Sequence, residues 1–352
     1  MLRDSLRRLI RLLPLAAACV PASGCYYMHV AAGQMEMNRL RRPIAEVAAN
    51  PATDESLRRR LEYAGLARDF AMTELGLPDN GSYRTYADLG RSYATWNLFA
   101  APEFSVAPRR FCYPVAGCVA YRGYFSERRA RNYALTLESR GFDVSVGGVA
   151  AYSTLGRFAD PVLSTMLAYG DAQTAAVIFH ELAHQVVYVA GDSAFNEAFA
   201  VTVEQEGLAR WLDVQGRPEA LAAWRRRRTV QAQAAALFAA RREELRRLYA
   251  SPLAPQAMRD AKRLAMRALA ADLRALELQS GVPSGYGRWI EAGINNAELA
   301  SVATYFGCVP GFERLLAGAG HDLPRFYAAV KTLAAAPPQQ RRAAVCAVAP
   351  RG

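Results

Sequence analysis

The sequence is poor in lysine, and its positive charge is therefore almost entirely arginine. The formal net charge is +11 from 43 basic and 32 acidic residues, yet only Lys262 and Lys331 are lysines. Such a bias can reflect genome composition as easily as selection for a polyanion, and solvated arginine on helix faces is the plainer explanation. The densest run, residues 225–228, has no interleaved aromatic residues and no known nucleic-acid-binding motif. We therefore expect no nucleic-acid partner.

The sequence also lacks internal repeats and low-complexity linkers, which argues against a repeat array or two independent units. Hydrophobic residues make up 52% and charged residues 21% of the chain, as in ordinary globular proteins. We expect a single domain over residues 25–352. Its predicted class is α+β and predominantly helical, with a small sheet and a long helical hairpin at about 217–279.

The N-terminus has no apolar run long enough to span a bilayer. Residues 12–20 form an apolar run after a basic segment, but this run is too short to cross as a helix. Residues 1–24 therefore read as a secretory signal. The segment Ala22-Ser23-Gly24-Cys25 resembles the lipobox of bacterial lipoproteins, which implies lipid on Cys25 and membrane attachment through it. By the same resemblance, Tyr26 permits transfer to the outer membrane, facing the periplasm. Cys19 is a competing anchor, and an ordinary signal peptide is the other alternative.

Four cysteines remain after the anchor, and export to an oxidising compartment would allow disulfides between them. Cys112 and Cys118 enclose a short Pro- and Gly-containing loop, which can bring their Cα atoms within bridging distance. This pair is the first-choice disulfide. Cys308 with Cys346 follows only by elimination, and free buried thiols remain the alternative.

Several local patterns predict secondary structure around the middle of the chain. Ser126 is a candidate N-cap for a helix to residue 140, and residues 142–146 alternate like a strand. Gly147-Gly148 is expected to break this strand, with a second strand at 149–155. A helical stretch is expected over 160–168.

The strongest chemical signal is the segment His180-Glu181-Leu182-Ala183-His184, which lies in an apolar run with Asp171 as candidate N-cap and Gly191 as candidate stop. On a helix, residues four apart lie one turn above each other, so both imidazoles can bind one Zn²⁺. With four histidines in the chain, a chance match at this spacing is on the order of one in a few hundred. Glu181 would act as general base on the water that the metal activates.

A third protein ligand is needed, and Glu197 in Asn196-Glu197-Ala198-Phe199-Ala200 is the prediction. Glu204 lies seven residues further on the same helix face, where it can hydrogen-bond a ligand imidazole, bind the metal instead or simply face solvent. Asn196 is a second candidate for supporting the ligands. Asp192 and Glu206 are weaker candidate ligands.

These residues carry a resemblance to known families. His180-Glu181-x-x-His184 followed by Asn196-Glu197-x-Phe199-Ala200 resembles the gluzincin metallopeptidases, which implies a zincin-like core. Most of the mature chain resembles an exported bacterial lipoprotein family labelled predicted aminopeptidases. The matching pieces are Gly24-Cys25-Tyr26-Tyr27, Phe111-Cys112 through Gly117-Cys118, Tyr121-Arg122-Gly123-Tyr124-Phe125, Tyr152-Ser153-Thr154-Leu155-Gly156 and Asn295-Asn296-Ala297. The chain lacks the Gly-x-Met-Glu-Asn segment with which many gluzincin aminopeptidases hold a free amine.

Peptide hydrolysis also needs a donor for the oxyanion of the tetrahedral intermediate. Tyr305 is the first candidate and Tyr152 the second, although packing with the hydroxyl on a backbone carbonyl is the plainer role for each. The predicted strand at 149–155 could bind extended substrate at a sheet edge. His321 is too isolated to assign.

The sequence thus predicts a zinc peptidase acting on peptide substrates, with an aminopeptidase favoured over an endopeptidase. The alternative is an envelope lipoprotein in which zinc is structural and the helical hairpin holds a partner. Structural zinc normally has a fourth protein ligand, and the sequence offers no obvious cysteine or histidine to supply it. Catalysis is therefore the preferred interpretation.

Overall fold

The computed structural model describes residues 21–113 and 117–346, with side chains from Tyr26 onward. Most of the predicted signal segment, residues 1–20, and the side chain of the predicted anchor Cys25 lie outside this description. No helix in the described part is long and apolar enough to cross a membrane.

The fold is predominantly helical with small sheets, as the sequence predicted. The helices, in chain order, are α1 (Pro21–Leu40), α2 (Ile44–Ala49), α3 (Glu55–Thr73), α4 (Glu127–Glu138), α5 (Ser164–Leu167), α6 (Asp171–Val186), α7 (Ser193–Val214), α8 (Pro218–Tyr249), α9 (Pro255–Ser280), α10 (Gly287–Ala292), α11 (Asn296–Phe306), α12 (Val309–Gly318), α13 (Leu323–Ala335) and α14 (Pro338–Val345). The strands are β1 (Arg42–Pro43), β2 (Thr85–Ala87), β3 (Thr95–Pro102), β4 (Phe111–Tyr113), β5 (Gly117–Val119), β6 (Tyr121–Tyr124), β7 (Phe142–Val149) and β8 (Val162–Leu163).

Helices α6 and α7 form the centre of the main core. Both are apolar around much of their circumference. Helices α3, α12 and α13 therefore pack on them, and neither lies on the surface. Phe179 of α6 and Phe195 and Phe199 of α7 are fully buried, and Phe312 of α12 packs against both α7 rings. Aromatic burial of this kind fixes the two helices relative to each other.

The larger sheet has the strand order β6-β3-β7, and all its pairs are antiparallel. Central strand β3 is almost wholly buried, whereas β7 is an edge strand in this sheet. A second small sheet, β1-β2-β8, and the β4-β5 hairpin complete the strands in the described residues. The β6-β3-β7 sheet supplies one wall of the cavity described below.

The predicted helical hairpin consists of α8 and α9, which pack on each other along their length. Each helix begins with a proline at its first position, where the missing N–H leaves no hydrogen bond unmade. Gly281 ends α9 in the left-handed conformation at φ 64°. The hairpin has its own apolar cluster with α10 and α11.

Three local predictions are wrong. Gly147-Gly148 does not break β7, which runs on to Val149 because β3 pairs with it over its whole length. Residues 150–155 are therefore not a strand. The helical stretch predicted over 160–168 is β8 followed by the single-turn helix α5, since Val162 and Leu163 pair with β2.

The predicted ends of the helix that carries His180 and His184 also differ from the structure. The residue that caps α6 is Gly170, and Asp171 is already inside the helix. The helix ends at Val186 because Val187 is extended, four residues before Gly191. Ser126, in contrast, caps α4 as predicted, with its side chain accepting from Arg129 N.

Candidate metal centre

Two adjacent helices bring His180, His184 and Glu197 together. His180 and His184 lie one turn apart on α6, and Glu197 lies in the second turn of α7. One potential ligand atom from each residue lies within 4.8 Å of the others. The side chains of His180, His184 and Glu197 are 15%, 7% and 10% exposed, so the group is mostly buried but still accessible to solvent. No other such group occurs among the described residues.

The distances within this group suit a shared metal ion better than direct hydrogen bonds. His180 Nε2 lies 3.4 Å and His184 Nε2 lies 3.7 Å from the Glu197 Oε2 atom. Both exceed the usual 2.7–3.2 Å of an N–H···O bond. Tetrahedral zinc with bonds of about 2.0–2.1 Å separates its ligand atoms by roughly 3.3 Å. The donor set and its spacing are therefore compatible with a bound metal.

Glu204 fixes the orientation of the first imidazole. Its Oε2 atom lies 3.0 Å from His180 Nδ1, and Glu204 follows Glu197 two turns later on the same face of α7. A hydrogen bond from Nδ1–H to this carboxylate leaves the Nε2 lone pair directed at Glu197. His184 Nδ1 is buried and has no hydrogen-bond partner among the described residues. The two imidazoles are thus held differently.

The electrostatics of the three side chains are strongly coupled. Burial disfavours the charge on His180, but the contacts with Glu197 and Glu204 outweigh it and raise the pKa of this imidazole well above its ordinary value. Burial likewise opposes the charge on Glu197, and the two histidines outweigh it, lowering the pKa of Glu197 to about 2. Glu197 is therefore a carboxylate over the whole physiological range, as a metal ligand must be.

Glu181 lies beside the cluster on the wall of the cavity. Burial raises the pKa of its carboxyl group, and the neighbouring His180 and His184 oppose this shift. Ser153 also lies close to Glu181 and opposes the rise of its pKa. A carboxylate with a raised pKa beside a candidate metal is suited to take up and release a proton.

Ser153 belongs to a buried polar turn that the sequence did not reveal as part of the site. The Asp160 carboxylate accepts hydrogen bonds from Ser153 Oγ, Thr154 N and Thr154 Oγ1, the last two at 2.9 Å. Burial raises the pKa of Asp160 to about 6 despite the bonds from Thr154, and Glu181 adds to the shift. The segment Tyr152-Ser153-Thr154-Leu155-Gly156 was notable only through the family resemblance.

The tyrosines divide into two groups around the cluster. Tyr305 on α11 and Tyr121 on β6 both lie near Glu197 and Glu181; burial and then these carboxylates raise the pKa of both hydroxyls well above the ordinary value. Tyr152 lines the same cavity but packs edge-on against Phe125, with ring centroids 5.1 Å apart. Tyr121 was not predicted as a site residue. The sequence pointed to it only through the segment Tyr121-Arg122-Gly123-Tyr124-Phe125, which is part of the family resemblance.

The connector between the ligand helices, residues 187–192, is clamped at several points. The Asn196 side chain accepts from Val189 N and donates to Val189 O, both at 2.8 Å, so it supports the connector rather than a ligand imidazole. Gly191 has a φ of 81°, which permits the tight turn closed by Asp192 N and Val189 O. The short step from His184 to Glu197 is made by this turn.

The hairpin of β4 and β5 braces the same connector. Its strands are joined by a disulfide between Cys112 and Cys118. Arg110 Nη2 donates to Cys118 O at 2.6 Å and to Gly191 O at 2.7 Å, which ties the hairpin to the connector. A second disulfide joins Cys308 to Cys346 and holds α14 against α12.

The weaker candidate ligands point elsewhere. Asp192 forms a buried ion pair with Arg341, at 3.2 Å between Oδ2 and Nε. Glu206 contacts Arg210 on its own helix and His321 Nδ1. The structure does not bring these residues into the cluster.

The cluster opens into a cavity of about 820 Å³. Its lining comes from α1, the β6-β3-β7 sheet, the segment 150–158, α6, α7 and Tyr305 of α11. This volume is in the range of sites that hold drug-sized ligands or short peptides. Three candidate ligands facing such a space would leave an open position for water at a bound metal.

Comparison with known proteins identifies the family. A family model described as "putative aminopeptidase" matches residues 25–345. The chain belongs to this family. Membership indicates a peptidase, in agreement with the coarse prediction from sequence. No curated protein and no solved structure matches the chain.

Proposed function

We propose that the protein is a zinc-dependent peptidase of the gluzincin kind, with a zincin-like core formed by α6, α7 and the β6-β3-β7 sheet. The observation that carries this proposal is the convergence of His180, His184 and Glu197 on a large open cavity with Glu181 on its wall. His180, His184 and Glu197 would hold the metal. When bound, Zn²⁺ supplies Lewis-acid chemistry that makes water acidic enough to lose a proton near neutral pH.

The other residues have roles that follow from their positions. Glu181 accepts the proton of the attacking water and delivers it to the leaving amine as the peptide bond breaks. Ser153 lies beside Glu181 and favours the charged form of its carboxyl group, and Glu204 holds the His180 ring. Tyr305 is the candidate donor to the oxyanion, because it lines the cavity close to Glu181 and Glu197. Tyr152, further along the wall, is the second candidate.

The aminopeptidase assignment rests on the family description. Many aminopeptidases use an acidic side chain to bind the free amine of the substrate, and the chain lacks the segment that commonly supplies it. Hydrolysis of free peptides but not of N-acetylated ones would establish exopeptidase action. Cleavage of both would make the enzyme an endopeptidase.

The experiment for the central proposal uses the protein from residue 25 onward, purified without chelator. We expect about one zinc per chain by elemental analysis, hydrolysis of a peptide library, and loss of both with a chelator. Glu181→Gln should keep the zinc and lower turnover by at least roughly 10²-fold, the scale of a general base. Glu206→Gln, which removes a carboxylate outside the cluster, is the matched control. Unchanged turnover in Glu181→Gln would exclude the proposed base.

The same measurements separate the alternative function. A structural zinc site would bind the metal with equal stoichiometry but give no hydrolysis of any peptide in the library, free or acetylated. Removal of the zinc would then lower only the melting temperature.

We further propose that the protein is exported and lipid-anchored through Cys25 in the bacterial envelope.

A further inference from the structure

The cavity is lined in part by apolar and aromatic residues that are not needed to hold a metal. We call this part of the lining the apolar wall. It is formed by six residues of α1 and of the segment 150–158: Tyr27, Val30, Ala31, Tyr152, Leu155 and Phe158. Tyr27 and Phe158 remain 44% and 51% exposed although both line the cavity. Apolar surface left open beside a reactive site is typical of a ligand-binding groove.

Helix α1 is held in place against this cavity by close packing. Gly33 lies so near the Phe125 ring that a Cβ atom at this position would overlap it. The Tyr26 hydroxyl donates to Gly123 O at 3.0 Å, and Phe125 N donates to His29 Nε2 at 3.0 Å. The apolar wall is therefore fixed to the sheet that supports the site, and α1 does not need to rearrange to form it.

The charges lining the cavity are almost all committed to the metal centre. Glu197 faces both histidines, Glu204 contacts His180, and Glu181 lies beside them. Apart from this group, Arg157 is the one charged residue among the described residues that line the cavity. A basic side chain of a ligand would find no uncommitted carboxylate there, and its desolvation would be uncompensated.

We propose that the apolar wall is the subsite for a large uncharged side chain next to the cleaved bond, so that the substrates are peptides with an aliphatic or aromatic residue at that position. This inference deepens the proposed function and rests on it. Filling the wall buries apolar surface of the ligand together with Tyr27 and Phe158, and this favours leucine or phenylalanine over lysine or aspartate.

The test compares two neighbouring alanines on α1. Ala31 lines the cavity, whereas Ala32 is equally exposed on the same helix and does not. In a peptide series that varies one residue among Leu, Phe, Lys and Asp, the wild type should cleave the Leu and Phe peptides at least roughly tenfold more efficiently in kcat/KM. Ala31→Glu should reduce this preference by a similar factor, and Ala32→Glu should leave it within about twofold of the wild type.

A binding measurement separates failure of this inference from failure of the proposed function. The affinity of the same four peptides is measured by calorimetry on zinc-loaded Glu181→Gln, with and without Ala31→Glu. If no peptide is hydrolysed by the wild type but Leu and Phe peptides bind in an Ala31-dependent way, the peptidase proposal fails and the apolar wall is retained only as a binding site for uncharged side chains. If binding shows no side-chain preference, or if Ala31→Glu and Ala32→Glu have equal effects, the subsite is refuted.

Discussion

Glu204 illustrates how much one residue outside the metal-binding set contributes to the geometry of the centre. Its carboxylate holds His180 Nδ1 at 3.0 Å, which leaves Nε2 free to face Glu197. From sequence, hydrogen bonding to a ligand imidazole was the preferred role of Glu204, and metal binding or a surface charge remained as alternatives. Only the packing of α7 on α6 decided between them.

We predict that Glu204→Gln weakens zinc binding by roughly 10–100-fold, because an amide is a poorer acceptor for the imidazole N–H than a carboxylate. Competition with a chromogenic chelator measures the affinity. Glu206→Gln is the matched control, since Glu206 lies on the same helix but contacts Arg210 and His321. Equal affinities for the Glu204 variant and the wild type would show that the carboxylate does not support the ligand.

At the scale of elements, the connector of residues 187–192 determines whether the ligands of α6 and α7 meet. The β4-β5 hairpin lies directly on it: a Cβ atom at Gly117 would be 2.7 Å from Gly191 N. Gly117 also has a φ of 72°, a conformation that is strained for any residue with a side chain. The close approach therefore depends on glycine at this position.

Gly117→Ala should consequently destabilise the protein more than strain alone would. Gly141→Ala is the control, because Gly141 has a similar φ of 78° but no atoms within 4 Å of an added Cβ. Strain alone costs about 1–2 kcal/mol, and we expect a larger drop in melting temperature for Gly117→Ala, together with weaker zinc binding. Thermal unfolding of both variants checks this; equal losses would mean that the hairpin does not brace the connector.

For the whole molecule, buried carboxyl groups outside the centre should govern the pH dependence of stability. Glu298 on α11 is 6% exposed and its Oε2 accepts from Asn295 N at 3.0 Å. Burial raises its pKa to about 7, against the hydrogen bonds from Ser145 and Asn295, and Asp143 adds to the shift. Because the folded state binds this proton more tightly, the stabilisation is complete below about pH 4.5 and is lost as the pH rises through 7.

Glu298→Gln should remove this slope, since the amide oxygen can still accept from Asn295 N but carries no charge. We expect the variant to melt higher than the wild type at pH 8, by roughly 3–6 °C, and to approach it at pH 5. Melting curves between pH 4.5 and 8.5 test this. The exposed Glu291→Gln serves as control. A difference that does not change with pH would contradict the assignment.

The proposed attachment to the membrane also concerns the whole molecule. If Cys25 carries the lipid, the anchor lies next to Tyr26, whose ring stacks on Tyr113 and lies 3.8 Å from the Arg122 guanidinium carbon. The cavity beside the candidate metal centre, which Tyr26 also lines, would then be close to the bilayer surface.

In the expressing bacterium, Cys25→Ser should abolish incorporation of a labelled fatty acid and release the protein from the membrane fraction. Cys19→Ser tests the competing anchor position and should change neither property. Retention of label in Cys25→Ser, with loss in Cys19→Ser, would move the anchor and contradict the proposal.

What the sequence determined by itself is the chemistry that depends on short spacings. His180 and His184 are four residues apart on a helix, so their shared face follows from the helical repeat alone. The Asn196-Glu197 pattern marked Glu197 as the third candidate ligand. The helical class, the hairpin and the Ser126 cap likewise follow from local patterns.

The tertiary structure decided whatever depends on residues far apart in the chain. Pairing with β3 carried β7 through Gly147-Gly148, against a local preference for a break. Folding also brought Ser153 and Tyr121 to the carboxylates of the site and placed α1 along the cavity. Such contacts arise when whole helices and strands pack on each other. A short stretch of sequence does not determine the free energy of that packing.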